Sequence, residues 1–233
     1  MKKETLRHSF SHVLAAAIQQ LYPAAKFGIG PVIENGFYYD LDLPHSLTPQ
    51  DLLKIEKRMK KLISQNLPFE KEEMTVEAAL KLFKKLNQSY KVELIKDLVK
   101  EEKAKKVTVY KTGDFIDLCR GPHIRSTKEL NQEAFKLTHI SGAYWRGDES
   151  QPMLQRIYGT AFETKAELDQ YLAQQEEAAK RDHRRLGKEL DLFSIDNYVG
   201  PGLVLWHPKL SITREEIELY WRKEHRRRGY EYI

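Results

Sequence analysis

An α+β fold, an antiparallel sheet with covering helices, is what the sequence predicts for residues 1–163, and three observations predict it. Short apolar runs flank an Asn35-Gly36 pair, and others flank Lys111-Thr112-Gly113-Asp114, so both stretches read as β-hairpins. The segments around them carry apolar residues at helical spacing, without a regular alternation of strand and helix. The composition supports a packed core: of 233 residues, 41% are hydrophobic and 31% charged, with a mean hydropathy of −0.62. No apolar run approaches the ~18–20 residues that a membrane span needs, and none follows the charged start Lys2-Lys3-Glu4 to suggest export. The one cysteine, Cys119, excludes an intrachain disulfide framework, so a reducing cytoplasm is the expected location.

The elements follow in order. Residues 4–21 read as a helix, with Thr5 as N-cap, Val13, Leu14, Ile18 and Leu21 at helical spacing, and Pro23 as the stop. A hairpin over 27–43 turns at Glu34-Asn35-Gly36, where Asn and Gly tolerate positive φ. Thr48, Pro49 and Asp51 start a second helix that runs to about Gln65, because Pro suits a first helical position and an acid at the third reaches back to the cap. A strand at 69–74, a helix capped by Thr75, and a short helix at 92–100 come next. The second hairpin, 107–118, leads straight into Cys119-Arg120-Gly121-Pro122-His123. A short helix at 128–134 and strands at 135–145 and 153–162 complete this part.

After residue 163 the composition shifts. Residues 164–190 read as a polar helical linker, and 191–233 as the opening of another domain: a Gly-Pro-Gly turn at 200–202, an apolar run at 203–206, a helix from 213 to 228 and a strand start at 230–233. So short a piece cannot bury a core alone, and its remainder is expected elsewhere.

The charge balance, 39 basic against 34 acidic residues with a pI near 9.0, fits a nucleic-acid partner and an ordinary solvated surface equally. Basic residues cluster at 57–61, 181–185 and 226–228. Chemistry concentrates elsewhere. His8-Ser9-Phe10-Ser11-His12 places two imidazoles on one helical face, and Cys119 and His123 repeat the four-residue spacing after a strand. Three histidines and a cysteine match the types and number of a zinc shell, whereas a zinc-protease reading fails because Ser9 stands where that motif needs Glu. A lone histidine pair on a helix is as readily structural.

At these residues the sequence closely resembles the editing domain of bacterial-type threonyl-tRNA synthetases, the second additional domain that alanyl-tRNA synthetases also carry. The strings that carry the resemblance are 8–12 (HSFSH), 29–40 (IGPVIENGFYYD), 117–123 (DLCRGPH), 141–148 (SGAYWRGD) and 154–160 (LQRIYGT). From residue 164 the chain resembles that family's linker helix and then the start of its class II catalytic domain. The family's N-terminal ubiquitin-like domain, its ATP and Mg sites, its catalytic-domain zinc ligands and its anticodon-binding domain have no counterpart in this stretch, which implies a chain that does not itself form Thr-tRNA.

The resemblance implies an aminoacyl-tRNA ester hydrolase that clears Ser-tRNA(Thr), with the acceptor end of tRNA(Thr) as partner and serine as product. Carried over string by string, the catalytic set is His8, His12, Lys91, Asp117, Cys119 and His123. His8 and Lys91 are the first choices for water and for proton transfer at the ribose, and Lys91 serves either with a lowered pKa or as an electrostatic clamp. Asp117 is placed on the substrate ammonium group. Gly30 and Tyr39 wall the pocket or serve only as turn glycine and core tyrosine, while Arg120 and Arg125 contact phosphate and Trp145 and Arg146 contact the terminal adenosine or pack into the core. No metal is required on this reading, although zinc at His8, His12, Cys119 and His123 remains compatible with the residue types. A monomer is expected for this stretch and a dimer for the full-length family. Two rival readings use the same residues: a non-catalytic tRNA-binding fragment, and alanyl-type clearance of Ser- or Gly-tRNA(Ala).

Overall fold

The apolar and small residues from Leu6 to Ile18 give helix α1 (Lys3–Leu21) apolar character on nearly every side, and the helix is buried accordingly. Phe10, Val13, Leu14 and Ile18 are fully enclosed; burial of such side chains contributes about 1.5–3 kcal/mol each. The N-cap is Lys2 rather than Thr5, because a Leu6 N–H to Lys2 carbonyl bond of 3.2 Å carries the helix back past Thr5. The structure, a computed structural model, describes residues 2–231. Of the strand start expected at 230–233, Tyr232 and Ile233 lie outside them.

Strands β1 (Lys26–Phe27), β2 (Val32–Ile33) and β3 (Gly36–Asp42) follow, with β1 and β2 both antiparallel to β3. The predicted hairpin forms, but neither Asn35 nor Gly36 takes a positive φ. Gly36 is needed for a different reason: it pairs across Thr160, and a Cβ there would strike the Gly159 carbonyl of the neighbouring strand. Helix α2 (Pro49–Ser64) begins as predicted, with the Asp51 carboxylate accepting from the Thr48 N–H at 2.9 Å and its hydroxyl at 2.7 Å. These bonds hold the Asp51 carboxyl well below the usual carboxylate range.

Strand β4 (Phe69–Thr75) passes into α3 (Val76–Lys85), whose N-cap Thr75 accepts from the Ala78 N–H at 3.3 Å. Helix α4 (Ser89–Glu102) starts earlier than its apolar pattern suggests. Its N-cap residue, Gln88, is tied across the chain to the Phe27 N–H and the Ala25 carbonyl, a long-range anchor with no local signature. The second hairpin is β5 (Lys106–Thr112) and β6 (Phe115–Leu118), turning at Gly113 with φ +60°. The helix expected at 128–134 shrinks to one 3₁₀ turn over 127–129, because the Asn131 side chain accepts from the Glu133 N–H and diverts the backbone. Strands β7 (Phe135–Tyr144) and β8 (Met153–Ala161) close this part of the chain.

One sheet runs β1-β3-β8-β7 with β2 on β3, and a second runs β4-β5-β6; every pairing is antiparallel, so the fold is α+β as predicted. The main core joins α1 and α2 to the first sheet through Phe10, Phe37, Ile55 and Ile157. A smaller core joins α3 and α4 to the second sheet through Ala79, Phe83, Ile95 and Val109. Helix α1 meets β3 and β8 of one sheet and β5 and β6 of the other, and this places the residue 8–12 turn beside the end of β6.

The chain divides into the units Met1–Gln170 and Tyr171–Ile233. The long polar helix breaks into α5 (Lys165–Lys180) and α6 (His183–Glu189), where Asp182 caps the second helix by accepting from the Arg184 N–H at 2.8 Å. Within the second unit, β9 (Phe193–Ile195) pairs with β10 (Val204–Trp206), and α7 (Pro208–Arg227) starts at Pro208, earlier than residue 213. No described helix is long and apolar enough to cross a membrane.

Candidate active site

The two histidines of α1 stand one turn apart, with ring centres 5.2 Å from each other. The loop leaving β6 brings His123 against both, 4.1 Å from His8 and 4.0 Å from His12. Cys119 completes the group: its Sγ lies 3.3 Å from Nε2 of His8 and 3.4 Å from Nε2 of His123. Phe69 stacks on His123 at 5.1 Å and Tyr110 meets it edge-on at 4.5 Å. Two separate strings thus converge because α1 is central and β6 ends beside it.

Gly121 makes the loop possible. Its φ is +74°, and a Cβ at this position would collide with the Tyr110 hydroxyl. Replacing Gly121 with Ala is therefore expected to destabilise the chain by about 1–2 kcal/mol from the left-handed backbone alone. Displacing Tyr110, which holds His123, adds a loss of any activity the cluster supports. A lowered urea midpoint is the measurement, and an unchanged one contradicts the steric account.

Behind the histidines is a buried polar network. Lys91, from the first turn of α4, forms an ion pair with Asp117 on β6, and both are at most 3% exposed. Tyr39 of β3 donates its hydroxyl proton to Asp117 and accepts from Lys91 Nζ at 3.1 Å. Nε2 of His12 lies 3.5 Å from Asp117. Burial, reinforced by the Asp117 charge, pushes the Tyr39 phenol well up, so it stays protonated. Gly30 packs flat on the Tyr39 ring, with no room for a Cβ, and its carbonyl accepts from Ser11 Oγ at 3.0 Å.

Burial also sets the charge of the cluster. It lowers the pKa of His8, which is offset in part by a hydrogen bond to the Pro122 carbonyl, and it lowers His12 and His123 much further, helped by the neighbouring cations and imidazoles. All three rings are neutral near pH 7. The same burial pushes the Cys119 thiol up to about 12, which leaves little thiolate to act as a nucleophile.

The four side chains also fit zinc. Their ligand atoms all lie within 4.8 Å of one another, and ligands of one tetrahedral zinc ion stand about 3.5 Å apart, close to the two sulfur–nitrogen distances of 3.3 and 3.4 Å. Nδ1 of His12 is buried with no hydrogen-bond partner among the described residues, as suits a nitrogen kept for water or an ion. Neutral imidazoles are ready ligands, whereas Cys119 would have to lose its proton to bind.

Two recesses border the cluster. His8, Thr5, Gly121 and Pro122 border a cavity of about 680 Å³, and Cys119 borders another of about 550 Å³ on the α4 side. Of the remaining sequence candidates, Arg120 and Arg146 border the second. Arg120 is exposed, but both oxygens of Glu102 hold it at 2.5 and 2.6 Å. Arg146 pairs with Glu93 and Asp97 of α4. Trp145 is 2% exposed, packs on Tyr90 at 4.9 Å and donates to Glu93 at 3.1 Å, so its ring belongs to a small core instead of offering a free stacking face. Arg125 is exposed beside the 3₁₀ turn. Sequence reasoning missed Ser9, which is fully buried among the site loops, although its place between the two histidines was visible.

Residues 107–158 match the threonyl and alanyl tRNA synthetase second additional domain. Over 99% of its length the chain is 56% identical to the threonine--tRNA ligase of Citrifermentans bemidjiense, 55% to that of Dehalococcoides mccartyi and 52% to that of Clostridium tetani. It spans 35%, 38% and 35% of those proteins, respectively. A match over 99% of the chain at this identity, joined to the second additional domain, is consistent with a fragment of a threonyl-tRNA synthetase, and the chain spans about a third of the length of the relatives it matches.

Proposed function

We propose that the chain hydrolyses the ester of Ser-tRNA(Thr), releasing serine and free tRNA, as a post-transfer editing step of the cytoplasm. The observation that carries this reading is the convergence of three neutral imidazoles and a thiol, with a buried Lys91–Asp117–Tyr39 network behind them. The reaction needs a water oriented on the ester carbonyl, stabilisation of the oxygen charge that develops, and a proton for the departing ribose oxygen.

His8 is the member of the helix pair that reaches the larger recess, and a neutral imidazole accepts a proton from water. We assign it water orientation and proton transfer. Lys91 is locked between Asp117 and Tyr39, so its part is that of a fixed positive charge near the developing oxyanion. Asp117 is 3% exposed and already engaged, which makes it the anchor of Lys91 and Tyr39 before it is a hold for the substrate ammonium. A single methyl separates serine from threonine, worth only ~1–3 kcal/mol in an apolar pocket. The close stack of Gly30 on Tyr39 supplies a wall without slack against which the extra methyl is excluded.

Zinc held by all of His8, His12, Cys119 and His123 would have a closed tetrahedral shell; held by three of them, it would keep a position at which to polarise the carbonyl or acidify a water. The proposal requires no metal. Serine release is expected to persist in EDTA; loss of activity with recovery on adding zinc would overturn the metal-free version. The experiment that tests the function itself compares Ser-tRNA(Thr), Ser-tRNA(Ala) and Gly-tRNA(Ala) at high protein concentration. Turnover of the first is expected. Preference for the alanine tRNA would move the chain to alanyl-type clearance, and no turnover would leave a tRNA-binding segment.

A further inference from the structure

Ser9 is 0% exposed, and its hydroxyl oxygen has three polar neighbours. The Thr5 carbonyl lies at 2.8 Å, the Ile124 N–H at 3.2 Å and Nδ1 of His123 at 3.2 Å. A carbonyl only accepts, a backbone N–H only donates, and the hydroxyl carries a single proton. The shortest contact, at the usual O–H···O length, takes that proton to Thr5. The hydroxyl oxygen is then left as an acceptor for both remaining neighbours. Nδ1 of His123 must carry the proton of the ring, and in a neutral imidazole the other nitrogen is bare. That nitrogen, Nε2, is the one that faces Cys119, and the ring it belongs to packs against His8 and His12.

We propose that Ser9 is a positioning residue that holds His123 as the Nδ1–H tautomer and turns the Nε2 lone pair into the cluster. On the hydrolytic reading above, on which this clause rests, the lone pair accepts a hydrogen bond from the attacking water. The opposite tautomer would put an N–H there and point the water's oxygen, not its proton, at the ring. The serine therefore occupies the place between the two histidines for a reason of hydrogen-bond bookkeeping: a short side chain with one proton and two lone pairs satisfies a donor, an acceptor and a ring nitrogen at once. Alanine leaves the Ile124 N–H and Nδ1 without that acceptor, while threonine keeps the hydroxyl.

The test is a long-range ¹H–¹⁵N correlation spectrum of the imidazoles in the ¹⁵N-labelled full chain, with His123 assigned by the signals lost in His123→Asn. The wild type is expected to show His123 with Nδ1 protonated and Nε2 bare. Ser9→Ala is expected to shift that ring towards the Nε2–H form. The turnover number for serine release should fall about 10–100-fold, by analogy with the loss of hydrogen-bond partners behind metal-ligating histidines, with KM little changed, and Ser9→Thr should recover most of it. An Nε2–H tautomer in the wild type, or a Ser9→Ala spectrum identical to it, overturns the proposal. If Ser9→Ala does not fold, the wild-type tautomer alone decides. A wild-type chain that shows the Nδ1–H form and releases no serine overturns the hydrolytic reading and upholds the role of Ser9.

Discussion

Changing His8 and His12 together to alanine is expected to lower serine release by about 10²–10⁴-fold, the range that general acid–base groups contribute. Helical content should survive, because α1 is held by Phe10, Val13, Leu14 and Ile18, all of which the variant keeps. The two single variants should differ. His8 is partly exposed and borders the larger recess, so its loss removes the group placed on water. His12 is 2% exposed and 3.5 Å from Asp117, so its loss acts through the network behind the site. Release assays on both singles and the double separate these roles. Undiminished release by the double variant would show that the imidazoles are structural.

The second large effect concerns stability. Replacing Asp117 with Leu leaves Lys91, 2% exposed, beside the Tyr39 hydroxyl without its counter-ion. Removing one partner of a buried ion pair typically costs about 3–5 kcal/mol, because the charge that stays behind is uncompensated. The double variant Lys91→Met with Asp117→Leu should recover much of that loss, since exchanging a whole buried pair for apolar groups is often close to neutral. It should recover no activity. Denaturant unfolding of the three variants checks the first statement and serine release the second. A stable but inactive double variant would mean that the pair is retained for chemistry; equal stability of the single variant would mean that Lys91 finds water.

How much of this was legible in the sequence depended on whether the cause was local. The four-residue spacings of His8 with His12 and Cys119 with His123 are read directly, as are the Thr48–Asp51 cap and the two hairpins. The reason for Gly36 was hidden, because its need comes from the strand that contains Gly159, more than a hundred positions away. The start of α4 was missed for the same kind of reason: Gln88 is anchored to residues 25 and 27. The sequence suggests phosphate for Arg120 and the terminal adenosine or the core for Arg146, but it carries no record of partners: Glu102 pairs with the first, and Glu93 and Asp97 with the second, all three on α4. Trp145 is likewise claimed by Tyr90 and Leu154 in a small core. Basic residues at 57–61 follow the solvated-face expectation: Met59 points into the core, while Arg58 and Lys60 bond Gln20 and Glu133 at the surface.

The central claim is that the cluster distinguishes serine from threonine on the same tRNA and hydrolyses the ester of the former. The most direct measurement is the rate of amino-acid release from Ser-tRNA(Thr) set against Thr-tRNA(Thr), at equal and high concentrations of the chain. Fast release of serine, slow release of threonine and neither above background in the His8→Ala/His12→Ala variant is the predicted result. Equal release of both amino acids, or serine release that the double variant retains, would contradict it.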